Sequence, residues 1–178
     1  MMTVLKTISA PLVLSFVAMA ANTPPSNGQR SFDGRWVLDR KNSPDASNAP
    51  NNLVQQINTN GSEMIIQSKF AQPKDGVYPL LWVGIMTERL QLKTDGTESA
   101  SSIGPFELRS KTNQDGKSLV TEWTANMENG SAPGQQGGSV QGKWVRTLSE
   151  DGRQLTLQVT GKVSDGRTLE ATLHFNRK

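Results

Sequence analysis

From residue 31 to residue 177 apolar and polar side chains alternate with a period of two, and short turn sequences separate the alternating runs. Successive side chains of a strand point to opposite faces, so this pattern marks strands with one dry and one wet face. Asn60-Gly61, Asp95-Gly96, Asp115-Gly116, Asp151-Gly152 and Asp165-Gly166 each stand between two such runs. These dipeptides tolerate the positive φ angles of tight hairpin turns. No apolar repeat of 3.6 residues persists over a helical length. The pattern predicts an all-β chain of about ten strands, eight being the smaller possibility, near 32–39, 53–59, 63–70, 80–94, 97–103, 105–113, 117–127, 140–148, 154–163 and 168–177. In the fourth run, "YPLLWVGIMTERLQL", Gly84 suggests a bend or a loop that becomes strand only near Met86.

Parity assigns the interior. Phe32, Trp36 and Leu38 share one face of the first run, Leu53 and Ile57 of the second, and Met64, Ile66 and Phe70 of the third. The same holds for Leu119, Trp123 and Met127, for Val140, Trp144 and Leu148, and for Leu155, Leu157 and Val159. A single sheet with one dry face removes its exposed edges by closing into an up-and-down antiparallel barrel. Alternating the strand direction gathers the turns at 60–61, 95–96, 115–116 and 151–152 at one end. The long connections, among them "RKNSPDASNAPNN" and "ENGSAPGQQGG", fall at the other. The expected barrel therefore has a tight base and a long-looped mouth.

The N-terminal residues carry a different pattern. One lysine precedes an apolar run of about 14 residues from Thr7 to Ala20, which ends in the small-x-small sequence Ala18-Met19-Ala20. This reads as a signal peptide over residues 1–20; the run is shorter than the roughly 20 residues of a membrane helix. Residues 21–30 read as a flexible linker and 31–178 as one barrel domain. Export to a periplasm or the cell exterior is expected, with no integral membrane span after cleavage. The chain has no cysteine, and therefore no disulfide framework. Loss of Lys6 reduces an already small formal charge of +3, and no Lys/Arg cluster forms the basic stripe that nucleic-acid binding needs.

The sequence "FDGRWVLD", with Gly34-x-Trp36 opening the first strand, the loop that follows, the train of hairpins and the closing arginine of "LHFNRK" resemble the lipocalin superfamily, in particular its small exported bacterial members. The resemblance implies a lipocalin-like barrel in which Trp36 packs across the closed end with Arg177, or Arg146, against it. Ten strands is closer to the fatty-acid-binding-protein branch. The Thr-Asp-Tyr type turn of lipocalins is missing, and the Pro/Asn-rich segment after the first strand shows no helical lid.

Candidate chemistry is sparse. Arg146 lies between Trp144 and Leu148 on the apolar parity, and Arg177 follows Phe175. An arginine turned into a barrel must be paired, hydrogen-bonded or stacked on an aromatic face. Trp36, Trp144, Arg146 and Arg177 are thus expected either to stack at the base or to clamp a ligand carboxylate, which guanidinium matches in bidentate fashion. Phe70, Trp82, Met86, Trp123, Met127 and Val140 are expected toward the mouth, where aromatic and methionine side chains make an adaptable apolar wall. His174, the only histidine, falls on the outward parity, and neither a zinc set, a catalytic triad nor a calcium loop is spelled out. The reading is an exported, non-catalytic, cofactor-free barrel that takes a small apolar or amphipathic molecule. The alternatives are a filled barrel acting through its surface in the cell envelope and a reaction chamber.

Overall fold

A computed structural model describes residues 31–71, 84–85, 87–103, 106–127, 138–163, 166 and 168–178. The expected signal peptide and linker, together with Trp82 and Met86, lie outside the described residues. Ten strands follow one another: β1 (Gly34–Leu38), β2 (Asn51–Asn60), β3 (Glu63–Ala71), β4 (Leu90–Lys93), β5 (Asp95–Ile103), β6 (Phe106–Asp115), β7 (Ser118–Met127), β8 (Gly138–Leu148), β9 (Gln154–Val163) and β10 (Thr168–Arg177). All pairings are antiparallel, in the order β4-β3-β2-β1-β10-β9-β8-β7-β6-β5. The first strand pairs with the last, Trp36 opposite Arg177 and Leu38 opposite Phe175. The fold is an all-β, nearly closed barrel.

Two expectations need correction, both near the fourth strand. The described part of the expected strand over 80–94 contracts to Leu90–Lys93, because Gly84 takes φ +80°, outside any strand conformation, and Gly84–Ile85 forms a buried turn. The expected Asp95-Gly96 hairpin also fails to form. Asp95 and Gly96 belong to β5, beside a bulge between Asp95 and Glu98, and no ladder joins β4 to β5 among the described residues. The Lys93 amide, which such a ladder would use, donates instead to Ser99 Oγ at 2.9 Å, while Asp95 Oδ1 accepts from the Thr97 amide at 3.0 Å. A side-chain bond and an Asx-type turn replace the backbone pairing there.

The connection from β1 to β2 is held without a helix beyond one short 3-10 turn, Ala46–Asn48. Its side chains extend the ladder that β1 leaves unfinished on β10. Ser43 Oγ accepts the His174 amide at 2.8 Å, and Asp45 Oδ2 accepts the Thr172 amide at 2.7 Å. Arg40 donates to the carbonyl oxygens of Ala46 at 2.6 Å and Pro50 at 3.2 Å. Backbone groups that need partners when withdrawn from water thus obtain them from polar side chains.

One apolar cluster fills the barrel from Phe32 and Trp36 to Leu173 and Phe175. Phe70, Ile103, Phe106, Val163 and Leu169 are only partly buried against it. They sit at or beside the strand ends of the long-looped side, with Ile103 opposite Phe106 and Leu169 opposite Gly161. The base is therefore dry and the mouth carries a half-exposed apolar rim.

Candidate functional site

At the base, Trp36 is fully buried and donates its indole N–H to the Phe32 carbonyl at 2.8 Å. The Arg177 guanidinium lies over the indole, 5.2 Å from the ring centroid. It donates to the carbonyl oxygens of Asp33, Ser31 (3.3 Å) and Gly152 (3.3 Å). Gly34 explains the glycine of Gly34-x-Trp36: it takes φ +135°, and an added Cβ would meet Arg177 Nε at 3.0 Å. Arg177 thus ties the N-terminal segment, β1 and the turn after β8 together, and its face and its N–H groups are both engaged.

Arg146, on the same parity, has a different environment. It is 0 % exposed, on β8 between Trp144 and Leu148, and its Nε, Nη1 and Nη2 have no hydrogen-bond partner among the described residues. Among the described residues its one aromatic contact is the Trp144 ring, 5.7 Å from the guanidinium carbon. Burial lowers its pKa to about 10, so the group still carries its charge at neutral pH. Arg146 is the only charged side chain buried among the described residues. Stacking occupies the face of a guanidinium and leaves its in-plane N–H donors free.

The stack continues beyond Trp144. Trp123 and Trp144 lie ring to ring, centroids 5.1 Å apart and planes inclined by 23°. Both indole N–H groups are buried without partners among the described residues. Trp123 stands opposite Gly142 on β8, and Gly142 stands opposite Gly161 on β9. The missing side chains make room for the indole: a Cβ on Gly142 would lie 2.7 Å from the Trp123 ring and would collide with the Thr160 carbonyl oxygen. Trp144 also meets Gly84, where an added Cβ would collide with the ring. The sequence assigns Trp123 to the mouth and Trp144 to the base; the fold joins them in one stack ending at Arg146.

The remaining candidates are dispersed. Phe70 is half-buried at the long-looped end, and Val140 is buried opposite Ala125 and Val163. Met127 pairs through its backbone with Phe106 and Gly138 at that end; its side chain, like Trp82 and Met86, is outside the described residues. Glu88 is exposed, and the His174 ring meets Thr156 Oγ1 at 3.1 Å.

Inward polar residues escaped the sequence reading although parity marks them. Gln55 lies between Leu53 and Ile57, Ser68 between Ile66 and Phe70, and Thr121 between Leu119 and Trp123; all three are buried, as is Thr112. Thr112 and Thr121 share a hydrogen bond at 2.9 Å, and Gln55 Nε2 donates to Ser68 Oγ at 3.2 Å, leaving Gln55 Oε1 without a partner. The interior is thus an apolar core with a few donors and acceptors fixed in it.

The outer wall carries shallow grooves. One, of about 730 Å³, is lined by outward side chains including Arg109, Lys111, Glu122, Lys143 and Lys162, with Trp123 at the gap made by Gly142 and Gly161. Among the described residues no cluster of His, Cys, Asp and Glu is arranged to hold a metal ion, and no helix is long and apolar enough to cross a membrane.

No protein-family profile and no curated protein sequence matches this chain. Among solved structures it is similar to a secretory abundant heat soluble protein from Ramazzottius varieornatus, at 15% identity and a TM-score of 0.47, over 84% of this chain and 96% of that one. It is also similar to secretory abundant heat soluble protein 4 from the same organism, at 14% identity and a TM-score of 0.45, with the same coverage.

Proposed function

We propose that this chain is an exported, lipocalin-like barrel that carries a small amphipathic carboxylic acid in its interior and performs no chemistry on it. One observation carries the reading: Arg146 is fully buried, with all three guanidinium nitrogens unpartnered among the described residues. An unpaired buried cation is costly, and each unmade hydrogen bond adds to the cost. A ligand carboxylate removes both penalties, because it brings the missing charge and two acceptor oxygens that match the fork of the guanidinium. The stacked Trp144 holds that fork by its face and leaves the fork free. The half-exposed apolar rim of Phe70, Ile103, Phe106, Val163 and Leu169 suits entry of an aliphatic tail. Export rests on the N-terminal apolar segment and its Ala18-Met19-Ala20 sequence, and N-terminal sequencing of secreted protein should then begin at Ala21.

The outer grooves favour a second reading, a surface-acting barrel that needs no ligand. Native mass spectrometry of protein purified from its source separates the two. A co-purified carboxylic acid, lost in the Arg146→Met variant prepared identically, supports the carrier. Repeated recovery of ligand-free wild-type protein overturns it.

A further inference from the structure

We infer that the interior ligand is a hydroxylated acid: besides the carboxylate assigned to Arg146 it bears a hydroxyl that Gln55 holds. The inference rests on the carrier reading above and adds a second polar contact to it. Gln55 is 0 % exposed and points inward between Leu53 and Ile57. Its Nε2 donates to Ser68 Oγ, and its Oε1 has no partner among the described residues. A side-chain amide offers donors at one end and an acceptor at the other. Turning it over does not remove the orphan, because the Ser68 hydroxyl can serve either end while the opposite end stays unmatched. Leaving such a group buried and unmatched costs about 1–3 kcal/mol.

The group that meets Gln55 is distinct from the carboxylate. In the sheet order β1, β10 and β9 separate β2 from β8, and the orphan Gln55 Oε1 calls for a donor, which an ionised carboxylate does not offer. A carboxylate bound at Arg146 therefore leaves Gln55 to another part of the same molecule. A hydroxyl fits best, since it both donates and accepts and so complements either orientation of the amide. A keto oxygen serves only one orientation, and a second carboxylate would enter an interior that offers it no second cation among the described residues. Ser68 also supports the site from β3, where Gln55 and Ser68 are register partners.

The test uses hexadecanoic acid, hexadecanol and monohydroxy hexadecanoic acids with the hydroxyl near the head, at mid-chain and at the tail end, titrated into the ligand-stripped full-length mature protein. At least one hydroxy acid should bind about tenfold more tightly than the plain acid, the effect of about 1.4 kcal/mol from one buried hydrogen bond. Gln55→Leu should abolish that preference, bringing the affinities for the hydroxy and the plain acid together. Gln55→Met, closer in shape, provides the same comparison if the leucine variant does not fold. Plain and hydroxy acids binding wild type equally, or a preference that survives removal of Gln55, overturns the inference and leaves the carrier reading standing. Equal binding of acid and alcohol overturns the carrier reading, and this inference with it.

Discussion

Arg177 and Trp36 face each other across the β1–β10 ladder as register partners, with the guanidinium 5.2 Å from the centre of the indole. Both ends of that contact are otherwise satisfied: Trp36 donates to Phe32, and Arg177 donates to carbonyl oxygens of Ser31, Asp33 and Gly152. Arg177→Met should therefore destabilise the barrel by about 1–3 kcal/mol, through the lost cation–π contact and the lost charge-assisted hydrogen bonds. Urea unfolding gives the value. Acid affinity should be unchanged, since the residue holds the base together and does not reach the interior stack.

Gly142→Ala tests the packing that seats Trp123. The new methyl group would collide with the Thr160 carbonyl oxygen and lie 2.7 Å from the Trp123 ring. Neither the paired backbone nor an indole stacked on Trp144 moves cheaply, so a loss of about 1–3 kcal/mol is expected. The exciton signal of the stacked tryptophans in circular dichroism should weaken with it. A variant with wild-type stability and an unaltered signal would show that the two-glycine gap is not what positions the stack.

Stability should fall on the acid side. Hydrogen bonds from Asn42 and Asn176 hold the Asp39 carboxyl below its ordinary pKa, the Thr97 side chain and amide do the same for Asp95, and Ser149 and the Arg153 amide for Asp151. A carboxyl with a folded pKa below its unfolded value contributes stability that is fully present above the unfolded value. It is lost as pH falls through the folded one. The urea midpoint should stay level from neutral pH down to about pH 4 and decline below it. Asp39→Ala should flatten part of that decline, and because none of the three residues is buried, added salt should shrink it.

The sheet was largely legible because its information is local. Period-two alternation and the Asn-Gly and Asp-Gly turns specify strands and most hairpins from neighbouring residues alone, and β9 and β10 occupy the expected positions. The gap between β4 and β5 was not legible, because the Asp95-Gly96 pattern does not show that the Lys93 amide goes to the Ser99 side chain in place of a backbone partner. Parity turned Arg146 and Arg177 to the same side without distinguishing them. Arg177 is satisfied by carbonyl oxygens as distant in sequence as Ser31 and Asp33, whereas Arg146 finds none. Only the fold exposes that difference. Gln55 and Ser68 were readable in principle, since they stand on the apolar parity of their strands.

The central claim is that Arg146 is retained for a ligand at the expense of the empty barrel. Replacing even a buried ion pair with well-packed apolar side chains is often neutral or stabilising, by up to about 4 kcal/mol, and Arg146 lacks a pairing carboxylate among the described residues. Arg146→Met should therefore unfold at higher urea concentration than wild type. The decisive measurement is calorimetric titration of hexadecanoic acid and hexadecanol into wild type and Arg146→Met at neutral pH. Wild type should prefer the acid by at least about tenfold, corresponding to about 1.4 kcal/mol, and the more stable variant should lose that preference. Equal affinities of acid and alcohol for wild type, or an acid preference that persists without Arg146, would contradict the account.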